Sequence, residues 1–319
     1  MTQRFAVLAV RVVIAALLVV WLFRHAGGLS PVLGAIRAAR WELIAAAFLV
    51  TLIVQAAIAH RLRLLAETQG VGSSTREVME INLVTLFYGL FLPGGAITAM
   101  VIRLYRLTGA DRRYAAALAA IVCDRLLATA TLCLAGLVLW LLDGTRRSQP
   151  ALIVLLAASG VMALALAPMF HAAPARWIGF LASRLPLLRG LWPRMADALA
   201  VFRSIPGRRQ LGLIALSLGA HVLGIAVYLL LARAAGLAVP FVSLGWMRSV
   251  AMLIAMIPFS VSGLGLREGA MVALLGQQDV SAPAALAYSV LVFGVSILFV
   301  GLVGGVIEAV RWLRPRRDA

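Results

Sequence analysis

The sequence contains no lysine, so all 29 of its basic residues are arginine. Charge of either sign is scarce, because only 13% of the residues are charged while 63% are hydrophobic. Soluble globular domains have about 25% charged residues, so this composition excludes an ordinary soluble domain. It predicts a polytopic membrane protein, since several apolar runs approach or exceed the roughly 20 residues that span a bilayer.

Cysteine is rare, and the usual catalytic motifs are absent. Cys123 and Cys133 are the only cysteines, and ten residues of helix would hold them about 15 Å apart, too far for a disulfide. His60 and His221 have no other His or Cys at metal-ligand spacing, so we interpret both as structural. No phosphate-binding loop, dinucleotide-binding motif or Ser/His/Asp order is present. We therefore expect no cofactor and no metal, and the sequence disfavours an enzyme.

The excess of positive charge, +17 at pH 7, lies mostly in loops between apolar runs. That placement favours an anionic lipid surface, and not a nucleic acid, as the partner. The loop 171–209 contains seven arginines and one aspartate, and the C-terminal tail is also basic. Because cytoplasmic loops are enriched in arginine, we predict that this loop and both termini are cytoplasmic in a bacterial inner membrane.

Six apolar runs predict full membrane spans, and two broken segments interrupt their order. The spans are 5–23, 41–60, 114–142, 150–170, 211–231 and 283–310. In each broken segment, two arms below spanning length flank a turn rich in proline and glycine. The turn residues are Pro93, Gly94 and Gly95 in the first segment and Pro258, Gly263 and Gly265 in the second. Since lipid-exposed turns do not occur within the hydrocarbon region, we predict two re-entrant helical hairpins.

The order of spans and hairpins repeats within a single membrane domain, residues 1–319. Residues 1–145 and residues 150–319 each follow the order span, span, hairpin, span. Three crossings per half would invert the second half relative to the first, as in many secondary transporters. The predicted fold is an all-α polytopic membrane protein with six full spans and two re-entrant hairpins in an inverted repeat.

Charged residues inside these segments are candidate binding residues. Asp124 and Arg125 lie about 15 Å into a predicted span. Adjacent helical residues point about 100° apart, so we expect each to have a partner elsewhere. They could form structural ion pairs that fix helix packing, or a site for a headgroup or a proton. On the first hairpin, Arg103 and Arg106 could be interfacial residues, and Arg103 is also a candidate binding residue.

Arg267 and Glu268 follow the glycine-rich turn of the second hairpin. A glutamate at this position could simply cap the returning helix, because the helix dipole favours an acid at the N-terminus. Arg267 opposes that dipole, so capping does not explain it. We expect Arg267 to bind a phosphate or to pair with Asp124.

Three stretches resemble the lysylphosphatidylglycerol synthase transmembrane-region family, also called flippase-like. Residues 257–275 carry Pro-x-Ser-x-x-Gly-x-Gly-x-Arg-Glu-Gly, residues 92–94 are Leu-Pro-Gly followed by Arg103, and residues 124–127 are Asp-Arg-Leu-Leu. Residues 95–102 lack the acid that the family usually has before this arginine. The resemblance implies a membrane domain with two re-entrant hairpins that moves a lipid between leaflets.

The leading hypothesis is a lipid flippase or transporter for an anionic phospholipid or a polyprenyl-linked lipid. Its substrate-binding residues would be Arg103, Asp124, Arg125, Arg267 and Glu268. Two alternatives stay open. One is a membrane-embedded transferase acting on lipid-linked substrates. The other is a non-transporting partner of a lipid- or glycan-biosynthesis enzyme, with the loop 171–209 as its docking surface.

Overall fold

The computed structural model describes residue 24 and residues 29–313, except for 93–94, 109–112, 145–147, 185–192, 194–195, 197–199, 204 and 258–264. Within these limits the chain forms helices joined by short turns, with no strand. Five elements of the sequence prediction lie outside the described residues: the first span (5–23), Pro93, Gly94, Pro258 and Gly263.

We number the helices with described bounds in chain order. They are α1 (Leu29–Arg37), α2 (Trp41–Thr68), α3 (Thr75–Phe91), α4 (Ala96–Thr108), α5 (Tyr114–Leu142), α6 (Gln149–Phe170), α7 (Ala172–Ser183), α8 (Gly207–Ala234), α9 (Phe241–Ala255), α10 (Leu266–Gly276) and α11 (Ala282–Leu313).

Five of these helices, α2, α5, α6, α8 and α11, are long and apolar enough to cross a membrane. They coincide with five of the six predicted spans, so the chain is a multi-pass membrane protein. One boundary differs in a way that matters. The predicted second span stops at residue 60 and so puts Arg61 and Arg63 at the membrane interface, but α2 continues to Thr68. The helix ends only where Gly70 adopts a positive φ of 73°, a conformation that favours glycine.

Two pairs of consecutive helices consist of members that are each too short to span a bilayer, because a span takes roughly 20 residues. The first pair is α3 and α4, with 17 and 13 residues, and the second is α9 and α10, with 15 and 11. The two members of each pair pack against one another. A capping box at Ser74 and Glu77 begins α3, and Gly265, with a φ of 84°, precedes α10.

The long helices pack across the two sequence halves. The most extensive contact joins α2 to α8. The short helix α3 packs against the C-terminal part of α11, and the short helix α9 packs against α5. Each short pair therefore lies against the last long helix of the other sequence half.

Glycines allow these crossings to be close. A Cβ at Gly304 of α11 would overlap the carbonyl oxygen of Leu83 on α3. A Cβ at Gly136 of α5 would lie 2.6 Å from the Cβ of Ser249 on α9. Small residues at helix crossings are typical of membrane helix packing, because they let the backbones approach and gain van der Waals contact.

Helix α11 changes its winding partway along its length. Residues Gly294–Phe299 form a π-helical segment between two α-helical parts, Ala282–Phe293 and Val300–Leu313. The part before this segment packs against α1, α8 and α10, while the part after it packs against α3.

Candidate functional site

Several charged side chains are buried inside this apolar bundle. The buried arginines and acids of the described part of the chain are Arg61, Asp124, Asp143, Arg248, Arg267, Glu268 and Glu308. A charge at the bilayer centre costs about 2.5–3.5 kcal/mol even on the most lenient scale. Each of these residues therefore needs a partner within the protein or a bound ligand.

Asp124 of α5 forms a buried ion pair with Arg61 of α2. Arg61 Nε donates to Asp124 Oδ1 at 2.7 Å, and Arg61 Nη1 donates to Ser217 Oγ on α8, also at 2.7 Å. Arg61 is 3% exposed. The distant partner that we expected for Asp124 is therefore Arg61, a residue that sequence reasoning had placed at the interface. The predicted span stops just before it, at residue 60, whereas α2 continues to Thr68.

A hydroxyl and an imidazole extend this pair along α5 and α8. Thr131 Oγ1 lies 2.6 Å from Ser217 Oγ. His221 Nε2 lies 2.9 Å from the carbonyl oxygen of Ala128 and 3.1 Å from Thr131 Oγ1. His221, which we predicted to be structural, thus belongs to a polar chain that begins at the Arg61–Asp124 pair.

Arg103 and Arg125 lie near this pair but play different parts in it. Arg103 of α4 is within electrostatic range of Arg61, Asp124 and Arg125. Its Nε is buried and has no hydrogen-bond partner among the residues that the structure describes. Arg125 is exposed, unlike its neighbour Asp124. The structure therefore places Arg103 near both Asp124 and Arg125, while Asp124 pairs with Arg61.

The second helix pair holds Arg267 and Glu268 together at the start of α10. Both are 7% exposed. Arg267 donates from Nε to Glu268 Oε1 at 3.1 Å and from Nη2 to the same oxygen. Glu268 Oε2 accepts the backbone N–H of Gly265 at 2.8 Å, and the guanidinium of Arg267 lies 5.7 Å from the ring centre of Phe293. Glu268 therefore caps α10 and neutralises Arg267 at once.

The two groups of predicted residues do not meet directly. No hydrogen bond or ion pair between described residues joins Arg267 or Glu268 to Asp124. Of the two roles that we considered for Arg267, pairing with Asp124 is not the one observed, because Arg61 takes that place. Helical periodicity gives depth in the membrane, but it does not show which helices are neighbours.

Arg248 is the main residue that the sequence interpretation missed. It lies in the middle of α9, is 7% exposed, and its Nε and Nη1 have no hydrogen-bond partner within the described chain. Its guanidinium carbon lies 5.5 Å from the ring centre of Tyr228, and Gly224 leaves room for it on α8. A lone arginine in a short apolar arm is itself a signal of function.

Asp143 was also missed, because it stands at the end of α5 in an apparent loop. Its Oδ2 accepts Ser243 Oγ and Trp246 Nε1, each at 2.7 Å. All three residues are buried. We call these three residues the Asp143 cluster; it ties the end of α5 to the beginning of α9.

The part of the chain with described coordinates has no group of three or more His, Cys, Asp or Glu side chains placed to hold a metal ion. Buried guanidinium nitrogens of Arg103 and Arg248, in contrast, have no hydrogen-bond partner among the described residues. Arginine guanidinium groups suit phosphate and carboxylate, which accept several N–H bonds at once. The arrangement can therefore bind an anion within the bundle.

A comparison with curated proteins finds no significant match. The family model described as "Lysylphosphatidylglycerol synthase TM region" matches residues 8–304 of the chain. That match includes all five long helices except the last residues of α11, and both short pairs. The chain therefore belongs to the lysylphosphatidylglycerol synthase transmembrane-region family.

Proposed function

We propose that this protein moves an anionic phospholipid or a polyprenyl-linked lipid between membrane leaflets. The family supports a lipid-related role in the membrane. The observation that carries the proposal is Arg248, a buried guanidinium with two nitrogens unused in the middle of a short helix. A lipid headgroup crossing the bilayer needs such a cation, because its phosphate would otherwise lose all its hydrogen bonds to water.

The choice of arginine strengthens this argument. A buried lysine can lose its proton and become neutral, whereas arginine does not deprotonate in proteins. Arg248 therefore stays charged inside the bundle, and so does Arg103, whose Nε is also unused. Burying two permanent cations with unpaired N–H groups would cost free energy unless an anion binds to them.

We further propose that the two short pairs are re-entrant hairpins of an inverted repeat. Their lengths support this, since no member reaches spanning length. The reciprocal packing of α3 on α11 and of α9 on α5 supports it too, because a twofold relation between the halves exchanges these two contacts. In such transporters the substrate site lies near the midplane between the repeats.

In this mechanism the carboxylates form ion pairs with the arginines while the site is empty. Arg248 would contact the headgroup, together with Arg267, Arg125 and Arg103. Glu268 would release Arg267 to the phosphate, and it or Asp124 would receive any cationic part of the headgroup. Rocking of the two repeats about this site would expose it to one leaflet and then to the other.

We propose the bacterial cytoplasmic membrane as the location, with both termini and the basic loop 171–209 on the cytoplasmic side. The arginine content of the loop supports this orientation, since arginine-rich loops stay in the cytoplasm. A fluorescent protein fused to the C-terminus should fold and fluoresce in cells. A fusion that matures only on the far side of the membrane would reverse the orientation.

Transport is tested with purified protein in liposomes that contain fluorescently labelled phosphatidylglycerol or polyprenyl phosphate. Dithionite bleaches only the outer leaflet, so wild-type protein should make the inner-leaflet probe accessible. We expect Arg248→Gln to slow this by about tenfold or more, since one charge-assisted hydrogen bond contributes roughly 1.5–3 kcal/mol. Arg248→Lys, which keeps the charge, should retain more activity than Arg248→Gln.

Arg63→Gln is the matched control, because Arg63 forms an exposed pair with Glu67 on α2 and lies outside the proposed site. It should transport at the wild-type rate. The proposal fails if the wild-type protein moves neither probe, or if Arg248→Gln, with an unchanged elution profile, is as fast as wild type.

A further inference from the structure

A cleft of about 850 Å³ lies at the end of the bundle where α11 finishes. The beginning of α3, the end of α4 and the end of α11 form its walls; the polar and aromatic side chains on which the argument rests are Ser73, Tyr105, Arg106, Glu308, Arg311 and Trp312. We call it the α11 cleft. Arg103, Asp124, Arg248 and Arg267 do not line it, so it is separate from the site proposed above.

The two carboxylate oxygens of Glu308 differ in their hydrogen bonding within this cleft. Glu308 Oε1 accepts three donors: Tyr88 Oη at 2.8 Å, Arg106 Nη2, and Trp312 Nε1 at 3.3 Å. Glu308 Oε2 is buried and accepts none from the described residues. Arg106 Nη1 and Ser73 Oγ are likewise buried without a partner there. Two residues that line the cleft therefore have buried atoms without a partner, a carboxylate oxygen of Glu308 and a guanidinium nitrogen of Arg106.

These unused atoms select a ligand with two kinds of group. Arg106 Nη1 needs an acceptor, and Arg311, which is paired with Glu80, adds positive charge nearby. A phosphate ester fits both, because its oxygens accept N–H bonds from guanidinium groups. Glu308 Oε2 needs a donor, which an ammonium or hydroxyl group next to that phosphate would supply.

The surroundings of the cleft point to a lipid. Tyr105 and Trp312 line it and are 70% and 80% exposed, as aromatic residues at the headgroup level of a membrane often are. On α4, Ile97, Val101 and Tyr105 repeat at four-residue spacing and are all exposed, so they form one apolar stripe. The stripe ends at the cleft.

We infer that the α11 cleft binds the headgroup of a glycerophospholipid bearing a phosphate and a hydrogen-bond donor, with the acyl chains along the α4 stripe. Arg106 and Arg311 hold the phosphate, and Glu308 Oε2 accepts the donor. Phosphatidylethanolamine and phosphatidylglycerol have such a headgroup. Phosphatidylcholine does not, because its quaternary ammonium has no N–H. This inference requires that the protein lies in a bilayer, but it does not require that the protein transports lipid.

Native mass spectrometry of the full-length protein with added short-chain lipids tests this site. We expect phosphatidylethanolamine to be retained about tenfold more than phosphatidylcholine, since one charge-assisted hydrogen bond separates them. Glu308→Gln should reduce that preference to less than about threefold, because the acceptor loses its charge. Arg106→Gln should reduce retention of all three lipids. Arg63→Gln and Glu67→Gln make the same changes at an exposed ion pair. They should leave the retention of all three lipids and the preference among them unchanged.

Soluble glycerophosphoethanolamine separates the two sources of this headgroup. If it displaces bound lipid only at concentrations far above that of the lipid, the acyl chains contribute and the site is a lipid site. The inference is overturned if it competes equally, if the wild-type protein retains the three lipids equally, or if Arg106→Gln binds like wild type. Because binding is measured without transport, this test and the liposome test can fail independently.

Discussion

Buried ion pairs set the behaviour of this protein at the scale of single residues. The side chains of Arg61 and Asp124 are both buried, and they form an ion pair at 2.7 Å. Arg63, two residues after Arg61 on α2, pairs with Glu67 one turn later, and this second pair is exposed. Breaking a buried pair leaves one charge without a partner, which typically costs 3–5 kcal/mol. Exposed pairs contribute roughly 0–1 kcal/mol.

Asp124→Asn should therefore lower the thermal midpoint of the purified protein strongly, in line with a loss of about 3–5 kcal/mol. Arg61 would remain charged and keep only Ser217 as a strong acceptor. Fluorescence-detected thermal unfolding in detergent measures the change. Glu67→Gln should alter the midpoint little.

The double variant Arg61→Leu with Asp124→Leu provides the sharper comparison. Apolar residues that replace both partners are often neutral or stabilising, so its midpoint should lie above that of Asp124→Asn. A double variant less stable than the single one would show that the pair does more than neutralise its own charges.

The sequence predicted which charges are buried better than it predicted their partners. Asp124 and Arg267 could be recognised because they interrupt apolar segments at a depth where charge is costly. Arg61 could not, since the predicted span stops at residue 60 and α2 continues past it to Thr68. Arg125 lies at the same predicted depth as Asp124 but is exposed. Position along a helix does not determine which face turns inward.

Helix crossings are the features that decide the packing at the scale of elements. The contact of α3 with α11 depends on Gly301, Gly304 and Gly305, whose missing side chains leave room for Leu83, Phe87 and Leu90. The sequence shows these glycines, which as small residues favour close packing of membrane helices. It did not show that the partner would be α3, because nothing local encodes contacts between distant helices.

Gly304→Ala should destabilise the protein by roughly 1–3 kcal/mol, the usual cost of overpacking. The added Cβ would overlap the backbone of α3 at Leu83, which cannot move like a flexible side chain. Gly160→Ala on α6 is the control, because nothing lies within 4 Å of its added Cβ. It should leave the thermal midpoint unchanged or raise it. Equal midpoints for the two variants would contradict a tight α3–α11 crossing.

The whole molecule has polar clusters at the ends of two long helices. The Asp143 cluster ties α5 to α9, and Glu308 ties α11 to α3 and α4. The proposed inverted repeat would place these clusters at opposite membrane surfaces. The Asp143 cluster is fully buried, whereas Glu308 borders an open cleft. In the proposed transporter, the buried Asp143 cluster would close the site on its side of the membrane.

Asp143→Ala should loosen the closed side, because two buried donors, Ser243 Oγ and Trp246 Nε1, would lose their acceptor at a cost of about 1–3 kcal/mol each. Hydrogen exchange measured by mass spectrometry should become about tenfold faster or more for the first turns of α9. Ser148→Ala, which removes a cap of α6 near the same end, should leave α9 exchange unchanged. Unaltered exchange in Asp143→Ala would rule out a closing role.

The π-helical segment Gly294–Phe299 of α11 sets the rotational phase of everything that follows it. A π turn contains about one residue more than an α turn. Deleting one residue there would return the segment to regular α winding, because the wide turn already holds the extra residue, so Gly304 would still face α3 and Glu308 would still line the cleft. The same deletion between Val300 and Gly304, in regular α-helix, would turn both residues by about 100°. Chain length in α11 therefore acts as a structural parameter, and a one-residue deletion should be tolerated in the π-helical segment and damaging just after it.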